Sequence, residues 1–131
     1  MTPLERINAI RLPLATLLDI EFTEAEPDRV VAKLLVREEL CTLGSFVHGG
    51  TIMSLADTVG AAATVINLPP DGRTTTLESK TNFIGPASAG DIIIATATPV
   101  HRGRRTQVWQ TRVETADGRL VAVVVQTQIV L

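Results

Sequence analysis

Tyrosine is absent from this 131-residue chain, and tryptophan, cysteine and histidine are scarce, at one, one and two residues. The aromatic side chains are only Phe22, Phe46, Phe83 and Trp109, which removes the stacking platforms a single-strand nucleic-acid binder needs. A net charge of −2 gives no electrostatic case for nucleic acid or an anionic membrane as partner. The single cysteine, Cys41, cannot form an internal disulfide, which fits a reducing compartment. With only His48 and His101 to activate it, Cys41 reads as a small, partly buried residue and not as a nucleophile. One Cys and two His at these spacings assemble no four-ligand metal site, so neither a metal nor a separate cofactor is expected. The start, Met-Thr-Pro-Leu-Glu-Arg, lacks a signal-peptide pattern, and the apolar runs look too short to span a membrane. A cytoplasmic protein is expected.

What the chain does have is one polar turn running into one apolar helix. His48-Gly49-Gly50 is followed by Ile52, Leu55, Ala56, Val59, Ala62 and Ala63, a spacing that marks the buried stripe of a helix. Two glycines leave the backbone N–H groups unobstructed at the helix end whose dipole favours negative charge. About two turns on, Asp57 stands between Ala56 and Val59, and a carboxylate among small apolar residues is expensive unless solvated or employed. An anion-accepting turn followed by a lone acid points to acyl chemistry.

The length and ordinary composition indicate a single domain over residues 1–131. In order, the pattern predicts a short helix over 3–12, closed by Pro13, and a first strand over 14–23. A turn at 24–28, a strand over 29–36 and a loop from 37 to 47 follow. The long helix ends near Asn67, because Pro69, Pro70, Asp71 and Gly72 forbid its continuation. Strands are then predicted over 74–84, 91–100, 106–114 and 120–131, in antiparallel succession. Simple alternation places Leu77, Ser79, Thr81 and Phe83 on one face of the first of these, against Thr76, Glu78, Lys80, Asn82 and Ile84, with Glu78 and Lys80 as a cross-strand or cross-subunit ion pair. The last strand reads as buried on both sides over 120–125. The class is α+β, an antiparallel sheet curled around one long central helix.

His48-Gly49-Gly50, four residues, Leu55-Ala56-Asp57 resembles the signature of the hotdog-fold acyl-CoA thioesterases of the phenylacetate-degradation type. Thr76-Leu77-Glu78, Asn82-Phe83-Ile84-Gly85-Pro86-Ala87, Gly90-Asp91 and Gly103-Arg104 are similar to that family's later blocks, in the same order and spacing. The resemblance implies a hotdog fold and hydrolysis of an acyl- or aryl-CoA thioester to a carboxylic acid and free CoA, with CoA as part of the substrate. By position Asp57 matches the family's catalytic carboxylate, acting as general base or nucleophile. Gly49 matches the backbone donor to the oxyanion, His48 lies beside the thioester, and Thr76 matches a hydroxyl that helps place the water. Thr42 stands where the family usually has Asn or Gln, and Lys80 where an Asn is common. Thr42, Gly50 and Phe83 are expected along the substrate. Arg102, Gly103, Arg104 and Arg105 form a basic turn suited to the phosphates of CoA.

Gly49 and Asp57 lie eight residues apart on one helix, a rise of about 12 Å at 1.5 Å per residue. One helix does not bring both to one carbonyl, so a homodimer pairing Gly49 of one subunit with Asp57 of the other is expected, or a homotetramer built from such dimers. A non-catalytic acyl-CoA binding or sensing protein is the alternative, and a hydratase of the same fold lacks its paired Asp and His here. The acyl group, and CoA against an acyl carrier protein as thiol carrier, stay open at this stage.

Overall fold

Proline and glycine positions set the element boundaries. The computed structural model describes residues 1–10 and 12–131. Helix α1 (Pro3–Ala9) starts on the Thr2 side chain, whose hydroxyl oxygen accepts from the Glu5 N–H at 3.1 Å. Pro13 does not close this helix; it opens a second one, α2 (Pro13–Leu18), since proline suits a first helical turn where no N–H is required. The first half of the strand expected over 14–23 is therefore helical, and β1 is confined to Glu21–Glu26. Arg11, included in the predicted first helix, lies outside the described residues.

Strand β2 (Arg29–Leu35) pairs back on β1 through the Pro27-Asp28 turn. The following loop is less irregular than expected: one short 3-10 turn leads into a small ribbon of β3 (Cys41–Thr42) and β4 (Phe46–Val47), and a second connects the two strands. The chain then enters α3 (Gly49–Ile66), which ends at Asn67 as predicted. Four strands follow: β5 (Thr74–Phe83), β6 (Ile92–Arg102), β7 (Thr106–Thr115) and β8 (Leu120–Val130).

The four late strands are not paired in simple succession. The sheet order is β1-β2-β6-β7-β8-β5, so β6 crosses to pair with β2 while β5 joins β8 and is left as an edge. The sheet wraps α3, whose buried side carries Ile52, Leu55, Ala56, Val59, Gly60 and Ala63. Strands β2, β5, β6, β7 and β8 all pack against it. By length and apolarity α3 would suffice to cross a membrane, but here it is the core helix of this sheet. The inward face of β8, Ala122, Val124, Gln126 and Gln128, is closed by α3, while Val123, Val125 and Thr127 are only half-buried. The final strand is thus not fully buried on both sides.

One local feature changes which residues face the helix. A bulge between Thr76 and Glu78 leaves Leu77 unpaired, with Thr76 opposite Gln128 and Glu78 opposite Thr127. Simple alternation sets Thr76 beside Glu78 and Lys80; the extra residue instead puts Thr74, Thr76, Ser79 and Thr81 on the half-buried side and leaves Glu78 and Lys80 exposed. Lys80 reaches Asn82 Oδ1 at 2.9 Å, and no ion pair joins it to Glu78 among the described residues.

Candidate active site

The predicted site residues fall into three groups along α3. The first is the mouth of the helix. The Gly50 N–H donates to His48 Nδ1 at 2.8 Å, and the His48 carbonyl accepts from the Thr51 N–H at 2.9 Å. His48 is therefore the N-cap, and a neutral ring that accepts at Nδ1 carries its proton on Nε2. The Gly49 N–H has no acceptor among the described residues. The Phe83 ring lies over Gly49, 3.1 Å from where a Cβ would stand, so glycine is the residue that lets ring and helix start meet. Thr42 is exposed on the β3–β4 ribbon, and the Ser45 hydroxyl is engaged with Glu38 at 2.8 Å. Cys41 donates weakly to the Arg37 carbonyl at 3.4 Å; burial pushes its thiol up, with Glu38 and Glu39 adding to the effect, which disfavours a nucleophilic thiolate.

The second group surrounds Asp57, two turns further on. The Thr76 hydroxyl lies 2.6 Å from Asp57 Oδ1, joining residues nineteen positions apart. Two residues not anticipated from the sequence complete the cluster. Gln126 Nε2 donates to Asp57 Oδ1 at 3.1 Å and to Gln128 Oε1 at 2.9 Å. Gln128 Oε1 is also 2.6 Å from the Thr76 hydroxyl, and Gln128 Nε2 donates to Thr74 Oγ1 at 3.1 Å. The signal for them was two glutamines at i and i+2 within a valine-rich strand, where two amides on a core-facing side need partners. Asp57 Oδ2 has no hydrogen-bond partner among the described residues and stays open to a water or substrate.

The third group is the basic turn, near the far end of the helix. Arg102 Nη1 donates to the Pro27 carbonyl at 3.0 Å and approaches Asn67 Oδ1 at 3.5 Å. The Gly103 N–H closes the turn on the Thr106 carbonyl at 2.9 Å. Arg104 and Arg105 are exposed, with no ion pair among the described residues. With 18 residues, α3 is about 27 Å long, so the chain separates mouth, carboxylate and basic turn along its length.

A cavity of about 740 Å³ opens between the N-terminal helices and the second half of α3, and Asp57, Thr76, Gln126 and Gln128 do not line it. Ala61 and Ala62 on α3, Thr74 on β5, and Ile7, Ile10 and Ala15 from the two N-terminal helices line it. Ala61 is one helical turn beyond Asp57 on the same face, and Thr74 is two residues from Thr76. Among the described residues no cluster of His, Cys, Asp and Glu is placed to hold a metal ion.

The thioesterase superfamily profile matches residues 44–122, which contain the helix mouth, Asp57 and Thr76. A 1,4-dihydroxy-2-naphthoyl-CoA hydrolase from Listeria monocytogenes is 27% identical, over 81% of this chain and 85% of its own. A mutant form of thioesterase PA1618 from Pseudomonas aeruginosa superposes with a TM-score of 0.92 at 27% identity, covering 100% of this chain and 96% of that one. A mutant form of the phenylacetic acid degradation protein PaaI from Thermus thermophilus superposes at 0.82 and 27% identity, covering 90% and 98%.

Proposed function

As a member of the thioesterase superfamily with the hotdog fold, the chain is a thioester hydrolase, and we propose that it cleaves acyl- or aryl-CoA esters at a site shared between two subunits. The observation that carries the reading is the Asp57 carboxylate held at Oδ1 with Oδ2 free, on the same helix as an unsatisfied Gly49 N–H. The Gly49 N–H of one subunit polarises the thioester carbonyl and supports the oxyanion, aided by the positive end of the α3 dipole. Asp57 of the other subunit acts on that carbonyl through Oδ2, either by deprotonating water or by direct attack. His48 holds the mouth in shape and presents Nε2–H towards the thioester. Thr42 and Gly50 border the pantetheine side, with Phe83 stacked over the helix start.

Dimer formation is supported by the separation of Gly49 and Asp57 and by the surface beside them. β5 is an open sheet edge, and Leu77, Phe83 and Ile84 along it are more than half exposed, as is Leu43 by the mouth. A second copy laid against this edge covers both, and pairs of such dimers give a tetramer. The acyl group is placed in the cavity beside Ala61 and Ala62, whose small side chains leave room for an aryl or medium-length chain. Arg104 and Arg105 are the cations free to meet CoA phosphates, whereas Arg102 is committed to the Pro27 carbonyl. We place the enzyme in the cytoplasm, where CoA esters are made and used.

The decisive measurement is CoA release from a panel of phenylacetyl, other aryl and straight-chain acyl-CoAs, by wild type and Asp57→Asn side by side. Asp57→Asn is expected to lose a hundredfold or more in kcat, the scale of a missing acid–base group, with thermal stability retained. Equal turnover by both proteins would remove Asp57 from the chemistry. Saturable acyl-CoA binding without turnover by wild type would make the chain a binding protein.

A further inference from the structure

The hydrogen bonds around Asp57 have a direction, and one hydroxyl sets it. Thr74 Oγ1 donates to the Ile129 carbonyl at 2.8 Å, so its oxygen is left to accept from Gln128 Nε2. That fixes the Gln128 amide with Oε1 turned towards Thr76 and Gln126. Gln126 must then present Nε2, whose two hydrogens reach Gln128 Oε1 and Asp57 Oδ1. The opposite orientation would aim its oxygen at a carboxylate and another amide oxygen. The orientation adopted leaves Gln126 Oε1 buried without a partner, on a side chain 1% exposed. An orphaned buried acceptor is unfavourable, so the donor aimed at Asp57 is held against a local penalty. Gly60 makes the arrangement possible, because a Cβ there would fall 2.3 Å from the Gln126 amide.

Thr76 is the movable part. Its single hydroxyl proton has two acceptors at the same 2.6 Å, Asp57 Oδ1 and Gln128 Oε1. It can satisfy only one at a time. While Asp57 is ionised the carboxylate is the stronger acceptor. Once Oδ2 has taken a proton, Oδ1 becomes a neutral carbonyl oxygen, equivalent in kind to Gln128 Oε1, and the hydroxyl is free to turn. No charged group competes. β5 and β8 offer Asp57 hydroxyls and amides, and the inward residues of β7 (Gln107, Trp109, Thr111, Val113), β6 (Ile93, Ala95, Ala97), β2 (Val30, Ala32, Leu34), β1 (Phe22, Ala25) and α1 (Ile7) do not titrate. The charged groups of β1 and α1 lie elsewhere: Glu21 and Glu24 pair with Lys33 and Arg29, Arg6 donates to the Leu68 and Pro69 carbonyls, and Glu5 and Glu26 are exposed. Asp57 forms no ion pair among the described residues.

We infer that Gln126, Gln128 and Thr74 are positioning residues that tune Asp57 as a base: Gln126 stabilises the carboxylate, while Gln128 draws the Thr76 hydroxyl away and so favours the protonated acid. The inference rests on Asp57 being the group that accepts the water proton.

The two glutamines act in opposite senses, and that is testable. The probe is the pH dependence of kcat/KM with the best acyl-CoA from the panel, measured for wild type, Gln126→Met and Gln128→Met. The acid limb should move to higher pH in Gln126→Met and to lower pH in Gln128→Met, each by about half a unit or more. The kcat at neutral pH should fall about three- to tenfold with KM within about twofold, since neither side chain reaches CoA. Shifts in the same direction, or unshifted limbs, overturn the relay even if activity falls. Should either buried replacement not fold, Thr76→Val and Thr76→Ser decide: Ser keeps the rotating hydroxyl and should retain the wild-type profile, whereas Val should displace it, and identical profiles in both overturn the proposal. Loss of activity in Asp57→Asn with no relay effect sinks the relay alone; full activity in Asp57→Asn sinks the base assignment beneath it.

Discussion

The mouth of α3 and its middle are two kinds of site on one helix. At the mouth, consecutive residues do everything: His48 caps Gly50, Gly49 keeps a free N–H, and His48 remains exposed. The middle is assembled from three elements far apart in sequence, and its glutamines are almost wholly shielded from water. The mouth presents a backbone N–H with no acceptor among the described residues; the middle holds a carboxylate with one oxygen unpaired among them. Each half is chemically incomplete, and the helix keeps them about 12 Å apart. If Gly49 and Asp57 act on one carbonyl, as proposed above, a single rigid helix cannot supply both, and a second subunit becomes part of the chemistry and not only of the stability.

That contrast can be broken most completely by separating the subunits. If mouth and middle cooperate only across an interface, specific activity should collapse when the protein is diluted to a demonstrably monomeric state. It should return on reconcentration. Analytical ultracentrifugation and CoA release on the same dilution series would check this. Full activity in a monomer would mean that one chain closes the site on itself.

A smaller and more selective perturbation strikes the middle alone. Replacing glycine by alanine inside a helix ordinarily stabilises it by up to about 1 kcal/mol. At Gly60 the added methyl would fall 2.3 Å from the Gln126 amide and push it off Asp57. Overpacking costs about 1–3 kcal/mol, and the broken bonds to a partly buried carboxylate add a similar amount. Gly60→Ala should therefore lower the thermal midpoint by several degrees and kcat by about tenfold or more, with acyl-CoA affinity largely kept. A higher midpoint with normal turnover would show that the close approach of α3 and β8 is not needed.

The same contrast explains what was legible in the sequence. The His48-Gly49-Gly50 turn, the helix stripe and the stop at Asn67 depend on neighbours a few residues away, and the structure has each where the spacing puts it, except that Ala62 is half-buried along the cavity and Gly60 is buried in addition. The Asp57–Thr76 contact was not legible, because it depends on the bulge at Leu77, which puts Thr76 on the half-buried side together with Ser79 and which a strict period of two does not reveal. Gln126 and Gln128 were hidden because their role depends on the pairing of β5 with β8 across some fifty residues. Pro13 misled for a related reason: proline ends one helix and begins another equally well, and packing of α2 decides between them.

The mildest test separates the two duties of His48 at the mouth. Its Nδ1 caps the helix, and its Nε2–H faces outward from an exposed ring. Asparagine is a strong N-cap whose side-chain oxygen can take over the Gly50 or Thr51 N–H, but it is too short to put a donor where Nε2 stands. Alanine removes both functions. His48→Ala should lose about 1 kcal/mol of stability and several-fold in kcat, whereas His48→Asn should recover the stability without the turnover. Chemical denaturation and steady-state kinetics on the pair provide the readouts. If asparagine restores both, the histidine matters only as a cap, and the mouth contributes nothing to the reaction beyond the Gly49 N–H. If it restores stability alone, the ring belongs to the chemistry, and the mouth supplies a second donor beside the one its backbone provides.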